Sequence, residues 1–423
     1  MWQKILHIWN IKDLRKSIVF VLSMLVVFRV AAHIPVPGVN TEGLKQFLEG
    51  NQILGLLNIF SGGTLENFSI VMLGVAPYIT SSIIFQLLQM VVPQLEELRK
   101  EGDSGQQKIQ IWTRLTSVPL AILQSFGLIQ LLSQSQSNIL TNVTPMTYVS
   151  IILTTLAGTI FLMWIGELIT EKRIGNGISL LIFAGIIAAL PRAAQTAIVN
   201  YNPSDLYIYL LFVAAAILTV VAVVIVNEGQ RNIPVNYAKR MSGGKSFGGA
   251  ESYLPLRVNT AGVIPIIFAI SVILFPPMIA QFFINSAGLV GRIALFIVNI
   301  FQNQVFYSSL YFILVFGFTY FYTAVIFQPQ KVAENLQRQG GFIPGIRPGK
   351  ETEAYLGKIM NRLVFSGASF LGLIAVLPFI LQAVTGTQAL AIGGTSLLIV
   401  VSVAIDIAKQ IEAQVTLHEY DRA

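Results

Sequence analysis

The sequence predicts an all-α membrane protein of ten transmembrane helices arranged as two inverted five-helix halves. Three observations predict it. The chain of 423 residues is 54% hydrophobic and only 11% charged, whereas a soluble domain carries about 25% charged residues. Its apolar residues gather into repeated runs of about 20, the length that crosses a bilayer as a helix. Ten runs divide into five and five, and because five is odd the second half enters the membrane from the opposite side.

The runs lie near residues 17–35, 70–92, 111–133, 148–169, 178–200, 206–227, 261–284, 306–327, 359–381 and 387–406. The third, with Gln124, Ser125 and Gln130, is the weakest on hydropathy. Residues 17–200 make an N-terminal half and 201–406 a C-terminal half. Residues 1–16, MWQKILHIWNIKDLRK, alternate apolar and basic side chains and lead straight into the first run. They read as an amphipathic helix on the membrane surface and not as a cleavable signal peptide.

The basic residues orient the bundle. With the N-terminus inside, all 27 Lys and Arg except Arg29, Lys45, Arg192 and Arg292 fall on inner segments or inner helix ends. Cytoplasmic loops carry such an excess, so the basic face is the predicted cytoplasmic one, and both termini, including the tail 407–423, belong to it. Topology also accounts for most of the net charge of +7 without nucleic acid.

The halves echo each other. Run 2 contains LGVAPYI, with Gly74 and Pro77, and run 7 contains AGVIPII, with Gly262 and Pro265. Each is Gly-x-x-Pro in the second run of its half. Proline removes a backbone donor and glycine weakens a helix. Interrupted helices at matching positions point to the working interface of inverted-repeat proteins, although glycine and proline are common in membrane helices generally. Ser82, Gln86 and Gln89 share one face of run 2, which is predicted to turn from lipid toward protein or water.

The chemistry of enzymes and coupled transporters is missing. Without cysteine there is no disulfide or thiolate metal site, and His7, His33 and His418 fit no metal-ligand spacing. Glu167, Glu171 and Asp406 fall at basic-face helix ends, and Arg29 lies within snorkelling range of the opposite interface, so the bilayer centre has no carboxylate cluster. GGKS at 243–246 would need glycine at position 239 to complete a phosphate-binding loop, and that residue is Lys239. No cofactor and no enzymatic activity are predicted.

Two long polar segments remain on the basic face, 228–260 and 328–358. The first includes IPVNYA, which reads as a strand. In the second, IPGIRPGK uses Pro344, Gly345, Pro348 and Gly349 to stiffen a turn that presents Arg347. Such a turn suggests a docking tip; the alternative is a solvated determinant of topology. A further segment, LNIFSGGTLENF at 57–68, is too apolar for a solvated loop and too short to span.

Taken in order, FRVAAHIPVPGVN, NIFSGG, PYITSSIIFQLL, KEGDSGQQKI, FLMWIGELITEKRIGNGIS, GQRNIPVNYAKR, LPLRVNTAGVIP, GFIPGIRPG and GGTSLLIVV resemble the bacterial SecY family of protein-translocation channels over essentially the whole chain. The resemblance implies a clam-shell of two halves around a central pore. It makes 57–68, with Ile59, Phe60, Ser61, Gly62, Gly63, Thr64 and Leu65, a short plug helix that swings on its glycines; a re-entrant segment that never moves is the alternative. It maps an apolar pore ring onto Val75, Ile79, Ile178, Ile182, Ile267 and Ile399, and a lateral gate between run 2 (Gln86) and run 7 (Asn259). It assigns partner docking to Lys239, Arg240, Lys245, Arg338, Arg347 and Lys350. The implied partners are SecE-like and SecG-like membrane subunits, the SecA motor ATPase, the ribosome, signal-sequence-bearing polypeptides and the lipid of a bacterial plasma membrane. The competing expectation is an inverted-repeat secondary transporter of a small solute.

Overall fold

The computed structural model describes residues 11–36, 43–44, 58, 61–133, 144–199, 206–237, 240–242, 245–247, 251–284, 286, 288–385 and 393–420. A helix lies on each of the ten predicted runs: α1 Lys12–Ala31, α2 Ala76–Val91, α4 Asp103–Ser133, α5 Pro145–Glu171, α6 Gly177–Val199, α7 Leu206–Glu228, α8 Ile264–Phe283, α10 Gln304–Ile326, α12 Lys350–Thr385 and α13 Gly393–Tyr420. Three more helices join them, α3 Pro93–Lys100, α9 Leu289–Gln302 and α11 Pro329–Arg338. Among the described residues, α5, α7, α8, α12 and the α10–α11 rod are long and apolar enough to cross a membrane by composition, and α2 with α3, bent by 99°, makes a sixth. The remaining four, α1, α4, α6 and α13, carry more polar residues or a shorter apolar stretch.

Helix starts follow local chemistry. Thr144 caps α5 by accepting from the Thr147 amide, and Asn303 caps α10 by accepting from Val305 and Phe306. The two Gly-x-x-Pro motifs behave differently from expectation. They do not interrupt helices; they start them. Gly74 and Gly262 have φ of 57° and 64°, and α2 and α8 begin just after them with Pro77 and Pro265 in the first turn. There the missing proline amide costs nothing. Residues 70–75 and 261–263 are therefore turns and bends, not helix.

The repeat is visible in packing. Numbering the ten spanning helices in order, helix pairs 1–4, 1–5, 2–3, 3–4 and 4–5 pack in the N-terminal half, and 6–9, 6–10, 7–8, 8–9 and 9–10 pack in the C-terminal half. The halves meet along two seams. On one, α8 packs on α2 and α4; on the other, α13 packs on α6. The largest apolar cluster runs across both halves.

On the basic face, β1 Gln230–Tyr237 lies between β4 Glu251–Arg257 and the short β5 Gly341–Phe342, all antiparallel. The strand expected in IPVNYA is part of β1. A smaller hairpin joins β2 Arg240–Ser242 to β3 Lys245–Phe247. Asn236 pairs with Phe342 and Tyr237 with Gly341, so the two long polar segments are one unit. Ile233, Val235 and Leu256 from the sheet share a core with Leu336, Ile343 and the start of α12.

Candidate functional site: an apolar cluster, a buried segment and two seams

The six predicted ring residues lie in one continuous apolar cluster. Val75 and Ile79 stand at the start of α2, Ile178 and Ile182 one turn apart at the start of α6, Ile267 in the first turn of α8 and Ile399 in α13. Val75, Ile79, Ile182, Ile267 and Ile399 are buried and Ile178 is half-buried. Two local features place them. Asn176 caps α6 by accepting from the Ile178 and Ser179 amides at 3.1 and 3.2 Å. The Val75 carbonyl accepts from Ile79 and the Val263 carbonyl from Ile267, so both paired helices begin within this cluster. The six predicted ring side chains are all aliphatic and have no polar group to hold water.

Beside it sits the segment predicted as a plug. Ile59 and Phe60 lie outside the described residues. Ser61–Leu65 form consecutive turns and no helix, because Gly62 and Gly63 take φ of 79° and 75°. The segment is stitched internally: the Thr64 hydroxyl donates to the Ser61 carbonyl at 2.9 Å and the Ser61 hydroxyl to the Asn58 carbonyl at 2.9 Å. Leu65, Phe68 and Met72 are fully buried against the ends of α4 and α5. Its backbone is tied to the end of α1 by a bond from the Val36 amide to the Phe68 carbonyl and by a Pro35–Ser69 bridge.

Gly62 has a seat that the sequence did not disclose. A Cβ on Gly185 of α6 would overlap the Gly62 Cα, and a Cβ on Gly62 would lie 3.0 Å from the Gly185 Cα and 3.1 Å from the Phe28 ring. Two backbones touch here, which only a glycine pair permits. The Arg29 guanidinium donates to the Gly62 carbonyl at 3.0 Å. Arg29, expected within snorkelling range of the interface, is half-buried and has this backbone acceptor within the fold. Gly185 lies in an unremarkable apolar run, FAGII, and its role arises from a partner more than a hundred positions away. No local pattern signals it.

At the first seam the halves touch at several levels. Phe126 of α4 stacks on Phe282 of α8 at 5.5 Å. Nearer the basic face, Arg99 of α3 donates to the Val325 carbonyl of α10 at 2.7 Å. Gln86 of α2 donates to Ser82 at 3.2 Å, while its carbonyl oxygen is buried without a partner. Asn259 does not reach Gln86 by any described hydrogen bond. It donates to Asn227 at 2.7 Å and accepts from the Gly262 amide at 3.0 Å, and Asn227 donates to Ser402 at 2.7 Å. The network ties the entrance of α8 to α7 and α13 within its own half. The cause is local: the turn that launches α8 needs an acceptor for the Gly262 amide.

On the basic face, Ile343–Ile346 is a β-turn closed by the Ile346 amide on the Ile343 carbonyl at 3.0 Å, with Pro344 second and Gly345 third at φ 79°. That is a type II turn. Ile343 is buried, and Thr352 donates to the Arg347 carbonyl at 2.9 Å, so the backbone on both sides of Arg347 is fixed. Arg338, Arg347 and Lys350 are exposed. Lys239 lies outside the described residues; Arg240 and Lys245 are described in backbone only, at the ends of the β2–β3 hairpin.

Comparison with known proteins agrees with this architecture. The fold is similar to a solved structure described as a protein-conducting channel, with TM-score 0.63, 17% identity, and 93% of this chain and 91% of that chain covered. It is also similar to Sec61 in the canine ribosome–channel complex from the endoplasmic reticulum, with TM-score 0.58, 16% identity and the same coverage. The Halalkalibacterium halodurans protein translocase subunit SecY is 44% identical over 99% of both chains. Its Thermotoga maritima counterpart is 40% identical over 100% of this chain and 97% of the relative. The SecY family model matches residues 69–408, and with relatives this similar from end to end, the chain belongs to the SecY family.

Proposed function

We propose that this chain is the central channel-forming subunit of a Sec-type translocon in a bacterial plasma membrane, with the basic face and both termini in the cytoplasm. It passes unfolded secretory polypeptides through the collar of Val75, Ile79, Ile178, Ile182, Ile267 and Ile399. It releases membrane segments sideways through the seam between α2 and α8. The observation that supports the reading is that these six aliphatic side chains, from the starts or bodies of four helices in both halves, share one apolar cluster, with the 61–65 segment beside it. Apolar walls dewet when empty and yield to a chain that brings its own surface.

The chain supplies the conduit and partners supply the energy. The exposed Arg347 on its fixed turn, with Arg338 and Lys350 close in sequence, is a docking tip for the SecA motor ATPase or the ribosome; Lys239, Arg240 and Lys245 add charge within segment 228–260. SecE-like and SecG-like subunits complete the complex in the membrane. The Gln86 side of the first seam and the Asn259 network on the other side of it are the two edges of the lateral gate.

The test uses the absence of native cysteine. In Ile79→Cys and Ile267→Cys channels, a secretory precursor stalled in transit should crosslink to both positions. A precursor that labels neither, but labels lipid-facing positions such as Leu210, overturns the pore assignment; saturable uptake of a small solute would then support the transporter reading.

A further inference from the structure

Helix α9 has no counterpart among the predicted runs. Its 14 residues, Leu289–Gln302, extend about 21 Å at 1.5 Å per residue, short of the ~30 Å hydrocarbon core. Both ends are fixed at one membrane boundary, because α8 ends at Phe283 and α10 begins at Gln304, on the side opposite the basic face. Its surface divides into three arcs. Gly291, Ala294 and Phe301 are buried where α9 packs on α8 and α10. Leu289, Ile293 and Phe296, one helical stripe, are 74%, 56% and 64% exposed. Arg292, Asn299 and Gln302 are exposed beside them, with Leu295, 45% exposed, the one apolar residue among them.

A helix between protein and water needs two kinds of face; this one has three. The adjoining ends of the two neighbouring spans also carry exposed apolar residues, Ile279 and Phe283 on α8 and Val305 and Phe306 on α10. Those ends belong to helices that cross the membrane, so exposed apolar surface at this boundary is not confined to α9. We propose that α9 is an interfacial helix whose occupant is the outer leaflet of the bilayer: Leu289, Ile293 and Phe296 enter the acyl-chain border, and Arg292 lies among headgroup phosphates. Such helices bury an apolar face about 5–10 Å deep with cations on the polar side. Because α9 packs on α8, the helix shared with the α2 seam, the leaflet holds one edge of that seam. The leaflet assignment rests on the orientation proposed above; the lipid contact does not.

The test is spin labelling of Leu289→Cys, Ile293→Cys, Phe296→Cys and Arg292→Cys in the full chain, reconstituted in phosphatidylethanolamine–phosphatidylglycerol vesicles. Labels at 289, 293 and 296 should collide several-fold more with oxygen than with a water-soluble nickel chelate, and the label at 292 should show the reverse. Chelate dominance at all four positions places the stripe in water and overturns the proposal. Protection of 289, 293 and 296 from both agents means that another protein covers the stripe, which also overturns it. Orientation is read separately, with a membrane-impermeant thiol reagent on Arg292→Cys. Labelling in intact cells is expected. Labelling confined to inverted vesicles overturns the outer-leaflet assignment while leaving lipid contact to the spin labels.

Discussion

The first connection of each half makes a controlled comparison. Residues 61–75 lead into α2 and residues 229–263 lead into α8, and both finish on a left-handed glycine followed by a proline-first helix. The launching geometry is the same, yet the two connections go opposite ways. The first folds into the bundle, with Leu65, Phe68 and Met72 at zero exposure. The second stands out as a hairpin whose Tyr253 is 59% exposed. Composition separates them: residues 61–75 hold one charge, Glu66, while β1 and β4 hold Arg231, Glu251 and Arg257. Burying an unpaired charge costs several kcal/mol or more, which keeps the hairpin out, whereas an apolar connection gains by collapsing onto its neighbours. One scaffold thus yields a buried insert in one half and a projecting hairpin, or platform, in the other. If that division is functional, damage to one should leave the other intact.

The largest effect should come from the platform. Reversing a docking charge replaces attraction with repulsion and costs several kcal/mol. Arg347→Glu should therefore lower ATP-driven precursor uptake into inverted vesicles by about a hundredfold or more, with resting ion conductance unchanged. Because Arg347 is exposed and only its backbone is bonded to the fold, protein level in the membrane should stay at wild type. Normal uptake would remove Arg347 from docking; a leaky Arg347→Glu channel would show that platform and seal are not separate.

Next in size is the seat of the insert. In Gly185→Val the new side chain meets the Gly62 backbone, where neither chain has a flexible group to give way. Overpacking costs about 1–3 kcal/mol, and losing the Arg29 bond adds about 1.5 kcal/mol or more. Resting conductance in planar bilayers should rise roughly a hundredfold, approaching that of a channel lacking residues 59–65, while motor-driven uptake persists. A Gly185→Val channel as silent as wild type would make residues 61–65 an ordinary connector.

These two sites also differ in how far the sequence announces them. The Arg347 turn is local chemistry: Pro344, Gly345, Pro348 and Gly349 within six residues specify a stiff turn, and the structure has one. The ten helices were legible for a similar reason, since apolar run length reports a property each segment carries alone. The Gly62–Gly185 contact was not legible, because it exists only when α6 passes the insert, and glycine in a membrane helix has many other uses. The pairing of Tyr237 with Gly341 was hidden likewise by roughly a hundred residues of separation. Residues 70–75 read as helix in the sequence but are turns in the structure, because apolarity reports burial and not backbone conformation. Helix α9 escaped because its apolar residues, broken by Arg292, fall short of a span.

The smallest effect sharpens the comparison most. Arg29 is the one charged side chain with a described hydrogen bond to the backbone of residues 61–65, so if the insert closes the channel, Arg29 should tune its closing energy without shaping its seat. A hydrogen bond from a charged donor is worth about 1.5–3 kcal/mol and a neutral one about 0.5–1.5 kcal/mol. Arg29→Gln, which keeps an amide donor, should lose about 1 kcal/mol and raise resting conductance roughly fivefold. Arg29→Lys keeps the charge and should fall between Gln and wild type. Neither should alter binding of the motor, since Arg29 belongs to the end of α1 remote from the platform. Combined with Gly185→Val, Arg29→Gln should add almost nothing, because an insert already displaced no longer offers the Gly62 carbonyl; residues sharing a contact are non-additive in this way. Fully additive leaks in that double variant would mean that the guanidinium and the glycine seat act on different closing steps, and that Arg29 restrains something other than the insert.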